Sequence, residues 1–199
     1  KVSIMLEEIG MDYNVFPINI AKDEQFQPHF LEISPNNRIP AIIDKDNDNY
    51  SLFESGAILM YLAEKSGKLI NKSNTEEYYR TIEWLMWQMG GVGPMFGQVH
   101  HFVKYNKGKS AYSEERYTKE ARRLYGVMDK RLSKNQYIVG KEYTIADISI
   151  WPWTARFDWQ EIDLNEFPNV ARWYKEMIDR PAVQKGWLVP QNDQLIPSP

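Results

Sequence analysis

The sequence predicts a small α/β unit followed by an all-helical unit. Two short apolar segments, Ala41–Asp44 and Tyr50–Phe53, flank a polar turn, a pattern typical of a β-hairpin. An apolar segment with helical spacing follows this hairpin directly. Beyond residue 74, apolar residues recur at helical spacing almost to the end. A chain of 199 residues is long enough for two such units.

The composition restricts the kinds of site that these residues can form. Hydrophobic residues make up 43% of the chain, enough to bury a core, and no apolar segment reaches membrane-spanning length. The net charge of −3 predicts no nonspecific binding to nucleic acid or to an anionic membrane. Cysteine is absent, which excludes a disulfide scaffold and a protein thiol nucleophile within these residues.

The first forty residues contain three predicted elements. Helical spacing of apolar residues predicts a helix over residues 2–9, and Gly10 ends it. Asn14–Ile20 has the pattern of a strand, in which Pro17 indicates an edge position. Gln25–Glu32 is predicted to be a loop and a short helix.

The hairpin carries features of a peptide-binding site at both ends. A residue before a proline is held extended, and a cis Ile39–Pro40 bond would turn the backbone of Ile39 outward to pair with a bound peptide. Glu54 and Ser55 precede a helix predicted over Gly56–Glu64, where Ser55 would act as the cap. Free N–H groups at a helix start attract a carboxylate. The alternative is an ordinary helix cap and a structural proline turn.

The helical unit begins after a polar linker, Gly67–Asn74. Thr75–Phe102 is predicted to be one long helix or a broken pair, bent at its glycines. Tyr112–Leu132 is a second long helix. Thr144 and Asp147 have the spacing of a capping box.

Three further predictions concern the end of the chain. Ile148–Trp153 is apolar on all sides and is predicted to be buried. Pro168 starts another helix, which ends near Asp179. The tail Gln191–Pro199 is predicted to be loosely ordered.

Five motifs resemble the glutathione transferase superfamily and together span nearly the whole chain. They are SPNNRIPAIID, SLFESGAILMYLAEKSG, WLMWQMGGVGPMFGQVHHF, EERY and YTIADISIWPW. The GGVGPMFGQ segment and EERY resemble its nu-class group of glutathione-dependent disulfide-bond reductases, relatives of the globular domain of the yeast nitrogen-regulating prion protein. The resemblance implies a thioredoxin-like, glutathione-binding domain over residues 1–67, with its first strand missing, and an all-helical domain over residues 75–199.

The resemblance also implies six glutathione-binding residues. They are Gln25, Arg38, Ile39, Glu54, Ser55 and Arg116. By this resemblance Glu54 and Ser55 hold the γ-glutamyl end, and Ile39 pairs with the cysteinyl backbone.

The other three residues have plainer alternatives. Gln25 would touch the glycyl portion, or else be a surface loop residue. Arg38 would lie near the glycine carboxylate, or be solvated. Arg116 would reach the cleft, or pair with Glu120 one helical turn away.

The resemblance places the thiol-activating residue, a Thr with a neighbouring Asn, upstream of Lys1, so no catalytic residue is assigned within this chain. The alternative is a true N-terminus at Lys1. No metal is expected, because the adjacent His100 and His101 face different sides of a helix and lack further ligands. One of the two is expected to be buried and the other exposed.

The resemblance therefore implies a homodimeric enzyme with glutathione as co-substrate. A cytoplasmic location is expected, because no segment resembles a signal peptide. The predicted activity is that of a glutathione-dependent disulfide-bond oxidoreductase with transferase or peroxidase side activity. Two alternatives remain open at this point. One is a conventional glutathione transferase acting on small electrophiles, and the other is a non-catalytic regulatory module with the same fold.

Overall fold

A computed structural model describes residues 1–199. The first unit contains α1 (Val2–Ile9), α2 (Pro28–Leu31), β1 (Ala41–Asp44), β2 (Tyr50–Phe53) and α3 (Ser55–Ser66). The second contains α4 (Thr75–Trp87), α5 (Gly93–Val99), α6 (Ala111–Leu132), α7 (Ile145–Thr154), α8 (Pro168–Ile178) and α9 (Pro181–Trp187). The predicted order of an α/β unit and an all-helical unit is confirmed.

The sheet consists of β1 and β2 alone, paired antiparallel with Ala41 opposite Phe53 and Asp44 opposite Tyr50. The hairpin is thus confirmed with the predicted bounds. The strand predicted over Asn14–Ile20 is wrong, because this segment pairs with no other strand. A strand needs a partner edge for its backbone groups, and alternating apolar residues alone do not supply one. Phe16 is 77% exposed there.

The long helix after the linker does not break at its glycines. The backbone stays helical from Thr75 to Tyr105, and π-helical segments over Gln88–Val92 and His100–Tyr105 join the α-helical parts. π-helical turns inside α-helices are frequent at functional sites. The first of these segments faces the N-terminus of α3, as described below. None of the helices combines the length and apolar character needed to cross a lipid bilayer.

The end of the chain folds back on the helical unit. Helix α9, which the sequence pattern did not predict, packs against α1. The tail beyond it is held by several hydrogen bonds, which include those from the Tyr174 hydroxyl to Pro197 O at 2.7 Å and from Trp187 Nε1 to Gln194 O at 2.6 Å.

Helix α7 begins at the predicted capping box, in which Thr144 Oγ1 accepts from the backbone of the first turn. The carboxylate of Asp147 is fully buried and accepts hydrogen bonds from Ile138 N, Thr144 N and Trp173 Nε1 at 2.9–3.0 Å, and from Thr144 Oγ1 at 3.2 Å. Burial raises the pKa of Asp147 to about 6. At neutral pH it is therefore ionised, and four protein donors replace the hydrogen bonds that it would make to water.

Helix α1 is fixed to the helical unit by close contact and by charge. A Cβ atom placed on Gly186 of α9 would lie 2.6 Å from Ile4 N, so the two helix backbones touch there. Ser3 Oγ donates to Gly186 O at 2.8 Å. Arg180 makes a bidentate ion pair with Glu8 at 2.7 and 2.9 Å. These contacts set the position of the first turn of α1.

Replacing Asp147 by Ala should lower the free energy of unfolding by about 3–5 kcal/mol, because two backbone N–H groups and two side-chain donors lose their acceptor in the core. Denaturant unfolding measures this loss. Asp163→Ala is the control, since this exposed carboxylate caps only a three-residue turn. Its expected cost is about 1 kcal/mol. Equal losses for the two variants would contradict the assignment.

The Asp147 contribution should also depend on pH. Between its ordinary pKa near 4 and its raised value of about 6, the folded state binds more protons than the unfolded state. The free energy of unfolding of wild type, relative to that of Asp147→Asn, should therefore fall by about 3 kcal/mol as the pH rises from about 4 to about 6. Asp147→Asn is the reference because asparagine does not titrate in this range. A difference that stays constant or grows over this range would show that burial does not raise this pKa.

Replacing Gly186 by Ala should destabilise the fold by about 2–3 kcal/mol, because the added methyl group would push α1 away from α9. Gly126→Ala in α6 is the matched control, since a Cβ atom there meets nothing within 4 Å. It should stabilise the protein by about 0.5–1 kcal/mol through helix propensity. Thermal unfolding of both variants checks the opposite signs.

Candidate functional site

The N-terminus of α3 presents unused backbone donors. The first intrahelical bond runs from Ile58 N to Glu54 O at 2.9 Å. The N–H groups of Ser55, Gly56 and Ala57 precede it and make no backbone hydrogen bond. No side chain caps this helix, so the prediction that Ser55 is the cap is wrong: Ser55 is the first helical residue and is buried. Such a helix start attracts an anion.

Glu54 occupies the position before this helix in a conformation that is uncommon for a side chain. Its φ is +69°, and such backbone geometry costs about 1–3 kcal/mol and is concentrated at functional sites. Its carboxylate accepts from Asn36 Nδ2 at 3.4 Å. This contact joins the loop before β1 to the start of α3, and so brings the two predicted parts of the site together.

Ile39 lies on that loop with its backbone open. The Ile39–Pro40 bond is cis, as predicted. Neither the N–H nor the C=O of Ile39 makes a hydrogen bond, although the preceding carbonyl, that of Arg38, accepts from Ser34 Oγ at 2.8 Å. The Ile39 side chain is 52% exposed. Its peptide groups are therefore free to pair with an extended ligand.

The remaining predicted residues make no contact with Glu54 or Ser55. Gln25 is buried and its Oε1 has no partner, so it is not the surface residue of the alternative reading. Arg38 is exposed, and the only hydrogen bond of its guanidinium group runs from Nη1 to Asn37 Oδ1 at 3.3 Å. Arg116 is exposed on α6 without an ion pair.

Arg116 also lacks the helical partner that the alternative reading gave it. Glu120 instead forms a bidentate pair with Arg123, with both distances 2.7 Å. The guanidinium of Arg116 is thus uncommitted.

The site includes three residues that the sequence did not reveal. Lys1 Nζ donates to Gln88 Oε1 at 3.0 Å and lies 3.4 Å from Ser55 Oγ. Met89 Sδ lies 3.8 Å from the same hydroxyl. Burial lowers the pKa of Lys1 to about 8, against the opposing effect of the Glu54 charge. The only sequence signal was a lysine directly before α1, whose apolar residues recur at helical spacing.

The two adjacent histidines have different environments, as predicted. His100 is buried beside the rings of Trp153 and Trp159, and its Nε2 lies 3.2 Å from Gln160 Nε2. Burial lowers the pKa of His100 to about 4, so the ring is neutral at pH 7. His101 is exposed. No group of three or more His, Asp or Glu side chains is placed to hold a metal ion.

A groove of about 530 Å³ lies elsewhere on the surface and shares no residue with this site. Its lining is mostly charged, and several of its charges are already paired, Lys107 with Glu161 and Arg122 with Glu166. We assign no ligand to it.

Comparison with known proteins defines the class to which this fold and site belong. Residues 1–64 match the glutathione S-transferase N-terminal domain, and residues 91–181 match the glutathione S-transferase C-terminal domain. The chain is 45% identical over 195 residues to the disulfide-bond oxidoreductase YfcG of Escherichia coli K12, an alignment that covers 96% of this chain and 90% of the relative. The chain belongs to the glutathione S-transferase family, with a thioredoxin-like first unit and a helical second unit.

Solved structures agree with this assignment. A glutathione transferase family member from Pseudomonas fluorescens, with two glutathione molecules bound, is 46% identical with a TM-score of 0.88, and the match covers 93% of this chain and 86% of that one. A glutathione transferase from Pseudomonas putida, with one glutathione disulfide bound per subunit, is 43% identical with a TM-score of 0.88 and coverage of 95% and 86%.

Proposed function

We propose that this protein is a glutathione-dependent disulfide-bond oxidoreductase with transferase or peroxidase side activity. One observation carries the proposal: the start of α3, with its free N–H groups, is joined through the Asn36–Glu54 hydrogen bond to the loop that carries the unpaired backbone of Ile39. A γ-glutamyl tripeptide matches this pair of features, since it offers a carboxylate to the helix and an extended backbone to the loop. The identity to YfcG supports the reaction type.

Glutathione would bind with its γ-glutamyl end at α3. Ser55 and the adjacent backbone N–H groups would hold the carboxylate, while Glu54 would face the α-ammonium group. The N–H and C=O of Ile39 would pair with the cysteinyl backbone. The buried, unpartnered Oε1 of Gln25 is an acceptor suited to an N–H of the peptide.

Two arginines would complete the binding of glutathione. Arg38 would lie near the glycine carboxylate, and Arg116 would reach the cleft from α6. Both guanidinium groups are free of ion pairs, which leaves them available to a carboxylate.

Because residues 1–199 contain no cysteine, the exchange runs between glutathione thiols and the substrate disulfide. The thiolate of one glutathione attacks the substrate disulfide, which breaks the S–S bond, forms a mixed disulfide and releases the first thiolate. A second glutathione thiolate attacks the mixed disulfide and releases the other half of the substrate. Two glutathiones are thereby oxidised to glutathione disulfide, and one substrate disulfide is reduced to two thiols. Structures of relatives with two glutathiones or one glutathione disulfide support such a site.

We further infer a cytoplasmic homodimer with domains over residues 1–67 and 75–199. Half-exposed apolar side chains on α4, including Met86 and Tyr79, offer a surface for a second copy.

A cytoplasmic location fits because the reaction consumes reduced glutathione, which that compartment maintains. Residues 67–74 contain no helix or strand, which supports the boundary.

Replacing Ser55 by Ala should weaken glutathione binding by about 10–100-fold, the effect of losing a hydrogen bond to a charged group. Isothermal titration calorimetry measures the Kd. Ser66→Ala is the matched control at the other end of α3, where the hydroxyl hydrogen-bonds only to nearby backbone, chiefly by donating to Leu62 O at 2.7 Å. Its Kd should equal that of wild type. Unchanged binding in Ser55→Ala would show that the γ-glutamyl carboxylate does not bind at this helix start.

The reaction type is tested by steady-state assays with glutathione and two substrates, a small dialkyl disulfide and an aryl halide. Disulfide reduction should be the faster reaction, because the proposed cleft holds the second glutathione that completes the exchange. A high rate on the aryl halide with none on the disulfide would instead identify a conventional transferase. No turnover of either substrate, with glutathione bound, would identify a non-catalytic module.

A further inference from the structure

We propose that Lys1 is a positioning residue for glutathione, which orients the Ser55 hydroxyl toward the γ-glutamyl carboxylate and adds positive charge behind it. This inference rests on the function proposed above. It assigns a role to a side chain outside the six residues that the family resemblance implied.

The hydrogen-bond geometry fixes the direction of the Ser55 hydroxyl. An ammonium group only donates, so Ser55 Oγ is the acceptor in its 3.4 Å contact with Lys1 Nζ. The hydroxyl proton must then point elsewhere, and its only other contact is the weakly accepting Met89 Sδ at 3.8 Å. An incoming carboxylate oxygen is a far stronger acceptor than a thioether. Lys1 thus prepares Ser55 as a donor to the ligand.

The ammonium group of Lys1 is held in place by its surroundings. Gln88, which is 1% exposed, accepts from Nζ at 3.0 Å, and the ring of Trp153 lies 5.8 Å away. The first turn of α1 cannot move freely, because Gly186 touches the α1 backbone at Ile4. These contacts position the charge before any ligand binds.

This charge lacks a protein counter-ion. No carboxylate lies within ion-pair distance of Lys1, and the nearest acidic influence is Glu54, whose side chain is exposed and contacts Asn36. Placing an ammonium in a partly buried position without a partner is unfavourable. A bound carboxylate at the start of α3 would supply the missing partner and would also meet the positive end of the helix dipole.

The test compares glutathione with a probe that lacks the relevant carboxylate, 4-aminobutyryl-cysteinyl-glycine. Calorimetry on wild type and Lys1→Met gives the Kd for each ligand. Lys1→Met should bind glutathione about tenfold more weakly and bind the probe as wild type does. Lys1→Arg, which keeps the charge, should stay within about threefold of wild type for glutathione. In the disulfide assay the KM for glutathione should rise in Lys1→Met while kcat changes less than twofold.

Matched variants separate the outcomes. Lys141→Met removes an exposed lysine of the helical unit and should change neither Kd. If Lys1→Met does not fold, Gln88→Leu removes the acceptor that holds the ammonium, and it should weaken binding of glutathione but not of the probe. Equal losses on both ligands, or no loss in a folded Lys1→Met, would overturn the inference. Failure of wild type to bind glutathione at all would instead overturn the proposed function.

Discussion

The contact between α1 and α9 is the constraint on which the site depends. At Gly186 the two backbones approach so closely that a single methyl group would not fit, and the Glu8–Arg180 pair holds the far end of the same helix. Helix α1 also packs against α3. A short helix held on two sides places the residue that precedes it, Lys1, beside the start of α3. The position of the Lys1 ammonium group beside that helix start is thus a consequence of packing elsewhere.

Two charged groups, the buried Asp147 and the partly buried Lys1, show how a charge with protein partners differs from one that lacks a counter-ion. Asp147 is fully buried, and four protein donors satisfy it, so its charge needs nothing from outside. Lys1 is also largely withdrawn from water, but it has only an amide and a hydroxyl as acceptors and no counter-ion. The first arrangement stabilises a helix start. The second leaves a positive charge without a counter-ion, and an anionic ligand can neutralise it.

The site lies where the two units of the fold meet. The thioredoxin-like unit provides the α3 N-terminus and the open backbone of Ile39, while the helical unit provides Gln88 and Met89 from a π-helical turn. Ligand sites commonly form at such junctions, because neither unit alone encloses the ligand. Because residues 1–199 contain no cysteine, the proposed mechanism takes both thiols from glutathione, and these residues contribute binding, orientation and charge.

Local chemistry in the sequence was sufficient for the hairpin, the capping box at Thr144 and the helix start near Ser55, because neighbouring residues determine each of these features. The strand over Asn14–Ile20 could not be settled in the same way, since a strand exists only if a distant edge pairs with it. The contact of Lys1 with Gln88 joins residues 87 positions apart, and no local pattern encodes such a distance. The sequence alone therefore determined the elements that neighbouring residues specify and, through its family resemblance, the kind of ligand they suit, but it did not reveal α9. Only the tertiary structure decided which side chains meet at that ligand, because their encounter depends on how the helices pack.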